Sequence, residues 1–186
     1  MTNNKKYPKF NSQKATEATA LLLKMHGGKM SRIKLIKLLY LSDKSAIEKW
    51  ERPITYDIYY SMKEGQILSG VLNLINNRIE NSLWNKHIER DDKTSIRLHG
   101  EPIKLQKLSR AEVMLLESIY AKYGHWDRFD LGDLTKEFSE YKETTTRKRT
   151  YPKEVLADIF EKEDVERIEQ QLEEKAYLEL ALEWSS

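Results

Sequence analysis

Four histidines, two close pairs of carboxylates and a row of lysines are the residues of this 186-residue chain best equipped for chemistry. A zinc hydrolase of the His-Glu-x-x-His kind needs two imidazoles one helical turn apart, facing one ion. His26, His87, His99 and His125 are scattered, and no two stand at that spacing. His26 and His125 adjoin glycines that end helices, where a helix-terminus role is the simpler one. Asp91-Asp92 and Asp130/Asp133 suit turns and caps better than an acid–base couple. Gly27-Gly28 precedes a helix but lacks the Lys-Ser/Thr that completes a phosphate loop. No Gly-x-Ser-x-Gly elbow occurs. The chain has no cysteine, which removes disulfides, thiolate zinc sites, iron–sulfur clusters and Cys nucleophiles together. No catalytic residue, metal site or cofactor is expected.

The basic residues point to binding. Residues 1–50 carry a net charge of +8 and residues 151–186 a net of −7, within a total of only +2. The two ends either neutralise each other or leave one for a charged partner. Lys34, Lys37 and Lys44 form the polar stripe of a strongly apolar segment. With Lys24, Lys29 and Arg32 they have the charge to neutralise several phosphates, with steep salt dependence. Specific nucleic-acid recognition fits less well. The segment is too apolar to lie in a groove, and it lacks the Asn, Gln or Arg triplet that reads base edges. Beside Tyr40, Trp50, Tyr59 and Tyr60, the lysines suit a protein-binding face, where aromatics anchor and lysines steer. For Tyr40 and Trp50 a place in the core is the favoured reading; Tyr59-Tyr60 suit one less easily.

The elements carrying these residues are mostly helical. Residues 1–11 read as a flexible polar tail, and 12–186 as a single domain. Ala15, Ala18, Leu22 and Met25 recur at helical spacing from Ser12, and Gly27-Gly28 stops them. A second helix starts at Ser31 as N-cap and ends near Trp50, before Arg52-Pro53. Its wide apolar arc belongs to a central element. Ile54–Tyr56 reads as extended, Ser61–Gly65 as a loop, and a third helix runs from Ile67. Ile88, Ile96 and Leu98 flank the turn Asp91-Asp92-Lys93 as a β-hairpin, which must pack on the helices or on Ile54–Tyr56. Ser109-x-x-Glu112 is a capping box, with Gly124 at the helix's C′ position. Asp130 caps the next helix, 142–150 is a loop, Pro152 opens another helix, and Asp164 caps an acidic last one. The fold class is α+β, a compact multi-helix domain with a small antiparallel hairpin or sheet. Hydrophobic residues at 39% support a core. No apolar run reaches the ~20 residues that span a bilayer, and no signal peptide is evident. A cytoplasmic protein is expected.

Lys34-Leu35-Ile36-Lys37-Leu38-Leu39-Tyr40-Leu41-Ser42-Asp43 resembles the first helix, of the form KLQKLLYYAD, of the SocA-like Panacea antitoxin domain. Trp50-Glu51-Arg52-Pro53-Ile54 is similar to that family's Gly-Arg-Pro-Leu stretch. Tyr59 to Ile67 matches in position its aromatic-x-x-Gly-Pro-Val loop. Leu108-Ser109-x-x-Glu112, Tyr123-Gly124 and Leu131-x-x-Leu134-Thr135 resemble its second half. The likeness covers roughly 12–145. Three departures stand out: Gln66 replaces the Pro, Glu51 the Gly before Arg52-Pro53, and Lys136 a His after Thr135.

The resemblance implies a non-enzymatic antitoxin of bacteria or phages that neutralises a co-encoded toxin by direct protein contact. Some relatives instead deliver the toxin to a cellular protease. A nucleic-acid-binding regulator is the alternative from another class, and a homodimer is compatible with the sequence. The partner-binding residues expected are Lys34, Lys37, Tyr40, Asp43, Tyr59, Tyr60, Met62, Lys63 and Gly65. A basic toxin site would favour the acidic helix 164–184 as the contact. An acidic toxin surface would favour the Lys34/Lys37/Lys44 face.

Overall fold

The computed structural model describes residues 7–184. Eight helices and six short strands lie among them. The apolar repeat of Ala15, Ala18 and Leu22 winds α1 (Ser12–Met25), capped by the Asn11 side chain, which accepts from the Lys14 amide at 3.0 Å. Gly27 and Gly28, at φ of 80° and 91°, turn the chain into β1 (Lys29–Ser31). α2 (Arg32–Trp50) follows, and every residue from Lys34 to Asp43 is buried. A helix covered on all sides is the centre of its layer. α1, α3 (Ser69–Ile75), α5 (Arg110–Tyr123), α6 (Arg128–Lys136) and α7 (Pro152–Ile159) pack around it. Leu22, Leu35, Leu38, Leu39, Leu116 and Leu131 belong to the shared core.

Two antiparallel sheets flank α2. In the first, β5 (Ser95–Leu98) lies between β1 and β4 (Ile88–Arg90), with Met30 opposite Ile96 and Ile88 opposite Leu98. The expected hairpin is therefore present; it packs on α1, one of the two supports expected, and pairs with β1 rather than with Ile54–Tyr56. In the second, β2 (Tyr59–Met62) lies between β3 (Gly65–Leu68) and β6 (Lys148–Thr150). Ser61–Gly65, expected as a loop, is the tight end of this second hairpin.

Other boundaries moved for local reasons. Ile54–Tyr56 is no strand, because its amides bond to a buried side chain and Tyr56 takes φ +53°. α3 begins at Ser69, since Ile67 and Leu68 pair with β2. The short α4 (Ser82–His87), capped by Asn81, was not anticipated. Asp127, not Asp130, caps α6. Gly124 is the C-cap itself, at φ −64°, rather than a left-handed C′ residue. Ser31 holds the N-cap place of α2, but its hydroxyl makes no capping bond. α8 (Lys162–Trp184) starts two residues before Asp164, which pairs with Arg167 at 2.9 Å in the first turn. Residues 1–6 of the expected tail lie outside the described residues. Residues 7–11 are held in place: Pro8 is buried, Tyr7 donates to Glu169 at 2.5 Å, and the Asn11 amide donates to Thr55 at 2.7 Å. No helix among the described residues is long and apolar enough to cross a membrane.

Candidate functional site

Lys34, Lys37, Tyr40, Asp43 and Lys44 stand three, four or seven residues apart on α2, so neighbours in the row share a face. The lysines of that face were expected at the surface, whereas the core was the favoured place for Tyr40. Lys34, Lys37, Tyr40 and Asp43 are all buried, and Lys44 nearly so. The physical reason is that every polar tip finds a partner inside. Lys34 Nζ donates to the Gly124 carbonyl at 2.7 Å, a cation at the C-terminus of α5. Lys37 Nζ donates to the Gln66 carbonyl at 2.6 Å. Burial pushes Lys37 down to about 7, Glu64 opposing the shift and Lys136 adding to it. Tyr40 donates to Glu140, and burial followed by that carboxylate raises its hydroxyl well above the ordinary tyrosine range. Lys44 joins Glu140 at 2.8 Å to Asp158 at 2.5 Å, and lies 4.1 Å from the centre of the Phe138 ring.

Asp43 organises the chain after α2. Its carboxylate accepts from the Ile54 and Thr55 amides, each at 2.9 Å, from the Thr55 hydroxyl, and from Tyr59 at 3.1 Å. Complete burial lifts it to about 6, against those hydrogen bonds. Tyr59 packs edge-on to Tyr40, ring centres 5.4 Å apart. Asp57, which sequence reasoning missed, does the same for α3. It accepts from Gly70 at 2.6 Å and Val71 at 2.9 Å, and burial lifts it to about 7. Its clue was only its place between two short segments, since Asp caps helices from adjacent positions more often than from this distance.

The hairpin end sits against α6. Gly65 has φ +91°, and a Cβ there would meet the Gly132 carbonyl at 2.7 Å and Lys37 Nζ at 3.0 Å, besides the Thr135 hydroxyl. The two departures nearest this frame have local explanations. Gln66 keeps an amide that proline lacks, and that amide donates to Thr135 Oγ1 at 3.2 Å. Its side chain donates to Ser61 at 3.2 Å and accepts from Thr150 at 3.1 Å, knitting β3 to β2 and β6. Glu51 takes the left-handed C-cap of α2 at φ 59°, a conformation that favours glycine, and pairs with Arg167 of α8 at 2.7 Å.

Of the nine expected site residues, six are therefore internal: Lys34, Lys37, Tyr40, Asp43, Tyr59 and Gly65. Tyr60 and Met62 are half-buried and Lys63 is exposed. Arg147 stacks on the Tyr60 ring at 3.6 Å. Met62 and Lys63 border a groove of about 430 Å³ with an apolar floor of Ile33, Ile36, Ile67 and Leu72, and with Arg32 at its rim. No group of three or more His, Cys, Asp or Glu suited to a metal ion occurs among the described residues. His26 bonds Tyr120 at 2.8 Å, and His87 bonds the Glu101 carbonyl at 2.7 Å. These are packing roles. What the arrangement offers chemically is a rigid polar frame beneath a partly apolar groove, a setting for recognition.

The family model described as "Antitoxin SocA-like, Panacea domain" matches residues 35–142, more than half of the chain. No curated protein and no solved structure matches it. The matched stretch runs from the first turn of α2 through the hairpin and α5 to just beyond α6. It thus contains the buried polar residues Lys37, Tyr40, Asp43, Thr135 and Glu140, and Gly65 beside them. The chain belongs to the SocA-like Panacea antitoxin family.

Proposed function

We propose that this protein is the antitoxin of a toxin–antitoxin pair and that it neutralises its co-encoded toxin by direct protein–protein contact, without catalysing a reaction. The observation that carries this reading is the family match over residues 35–142, from the first turn of α2 through the hairpin to just beyond α6. It is supported by the use of the polar motif residues for internal bonds, which leaves the surface to serve a partner. Tyr60, Met62 and Lys63 are the motif residues proposed to touch the toxin. Lys37, Tyr40, Asp43, Tyr59 and Gly65 act by fixing the hairpin that presents them, and Lys34 by holding the end of α5 on α2.

The experiment expresses the adjacent open reading frame alone and together with this chain. Growth arrest relieved by the chain, with a stable complex and unchanged toxin levels, is the expected result. Falling toxin levels would replace occlusion by delivery to a protease. A harmless neighbour, or killing that this chain does not relieve, would remove the antitoxin reading.

A further inference from the structure

α8 carries two different faces. Val165, Ile168, Leu172 and Ala176 point inward and are buried. The end of the helix is tied down by side-chain bonds: Lys175 donates to Tyr56 at 2.7 Å, and Lys9 pairs with Glu183 at 2.6 Å. Towards the C-terminal end of α8 the opposite side is apolar and exposed among the described residues. Tyr177, Leu178 and Trp184 are 57%, 66% and 90% exposed. With Leu182 they make up four of the nine large hydrophobic side chains exposed among the described residues, all within eight residues of one helix. Such a concentration marks an interaction surface rather than ordinary scatter.

The charges around this face select the occupant. Glu163, Glu166 and Glu174 lie along the same outer side, N-terminal to the apolar group, because positions three, four, seven and eleven apart share a helical face; Arg167 shares that side, its charge already met by Glu51 and Asp164. All three are exposed, and none forms an ion pair among the described residues. A second copy packed parallel would set glutamates against glutamates, which like-charge repulsion disfavours; an antiparallel copy would leave them without cationic partners. An anionic lipid surface would be repelled in the same way, since helices that lie on membranes carry Lys and Arg on the polar face. α8 lies outside the matched residues 35–142.

We infer that the outer face of α8 docks a protein whose complementary surface is an apolar cleft rimmed by lysines and arginines, the chemistry of a cleft that otherwise holds a polyanion. Under the antitoxin reading, on which this rests for the partner's identity, that cleft is the toxin's own polyanion-binding site. Tyr177, Leu178 and Trp184 fill it, and the glutamates meet its rim.

The test uses the full chain and the product of the adjacent open reading frame. One variant carries Tyr177→Ser, Leu178→Ser and Trp184→Ser; the other carries Glu163→Lys, Glu166→Lys and Glu174→Lys. Both change exposed positions; the serine variant is expected to keep the wild-type melting temperature, and the lysine variant, which reverses a charge in the first turn of α8, to lower it slightly while staying folded. Each is expected to lose at least ~10-fold in toxin affinity and to fail in growth rescue. Heparin is expected to compete with the wild-type chain for the toxin, and added salt to weaken the complex. If the wild type binds and rescues while both variants do so equally well, the α8 surface is wrong and the antitoxin reading stands. If the wild type neither binds nor rescues, both fall. A wild-type dimer in sedimentation that the serine variant disperses would make the face a self-interface and overturn the proposal.

Discussion

At the scale of single residues, buried ionisable groups give this protein a characteristic pH response. Asp57 titrates near 7 in the folded chain against 3.8 when free. The native state keeps its proton where the unfolded chain has lost it. The stability this brings is complete below pH ~4 and is lost as the pH rises to ~7. Asp43, at about 6, acts in the same direction. Lys37 acts in the other: held near 7 against 10.5, it costs stability while charged, and that cost fades as the pH climbs from 7 towards 10. Urea unfolding between pH 4 and 10 is expected to show a decline to neutrality followed by a recovery. Asp57→Asn flattens the acid limb and Lys37→Met the alkaline one. If either variant keeps the wild-type slope, the assignment of that limb fails. The backbone makes a second prediction. Gly65→Ala combines φ +91° with contacts that a Cβ cannot make, and is expected to cost about 2 kcal/mol or more in chemical denaturation. Glu51→Gly relieves a left-handed residue but breaks an exposed pair with Arg167. Those two effects oppose each other, and the net change is expected to stay within about 1 kcal/mol.

At the scale of elements, buried carboxylates join helices that have little apolar contact at their ends. Glu112 completes the capping box of α5 with Ser109, and also takes Lys14 of α1 at 2.7 Å and Arg52, just after α2, at 2.9 Å. Its side chain is fully covered. Glu112→Ala would leave both cations without their carboxylate and free the Ser109 amide, so a loss of about 3 kcal/mol is expected. Glu112→Gln, which keeps the cap but not the charge, should lose less. Equal losses would show that the cap alone matters. Glu17 works similarly on a loop, accepting from the amides of Gln106, Lys107 and Leu108 at 3.0 Å. The arrangement is economical in core volume. The start of α3 and the loops after α2 and before α5 are positioned by carboxylates aimed at backbone amides.

At the scale of the whole molecule, protection is expected to be graded outward from α2. Its amides from Lys34 to Asp43 sit in the densest packing and should exchange with solvent only through global opening. The last turns of α8 rest on a few side-chain bonds to Lys9 and Tyr56, so the amides after Lys175 should exchange through local opening. Hydrogen-exchange mass spectrometry reads both. Toxin binding should slow the α8 amides if that helix docks as inferred. Protection rising only at β2 and β3 would move the contact to the hairpin groove.

Much of this molecule was legible in the sequence where local chemistry decides. The helical repeats of α1 and α2, the capping box at Ser109, Pro152 opening α7 and the Asp91-Asp92-Lys93 turn all follow from contacts within a few residues. The motif order also identified the family, because its residues are spaced by the frame they build. The fate of each polar side chain was not legible. A lysine on a helix reads as solvated unless a carbonyl waits for it. The carbonyls of Gly124 and Gln66 come to Lys34 and Lys37 from 90 and 29 residues away. Likewise β6, three residues long and too short to show a period, exists because β2 offers it an edge. Local sequence set the elements, and long-range hydrogen bonding decided which of their polar faces became interior.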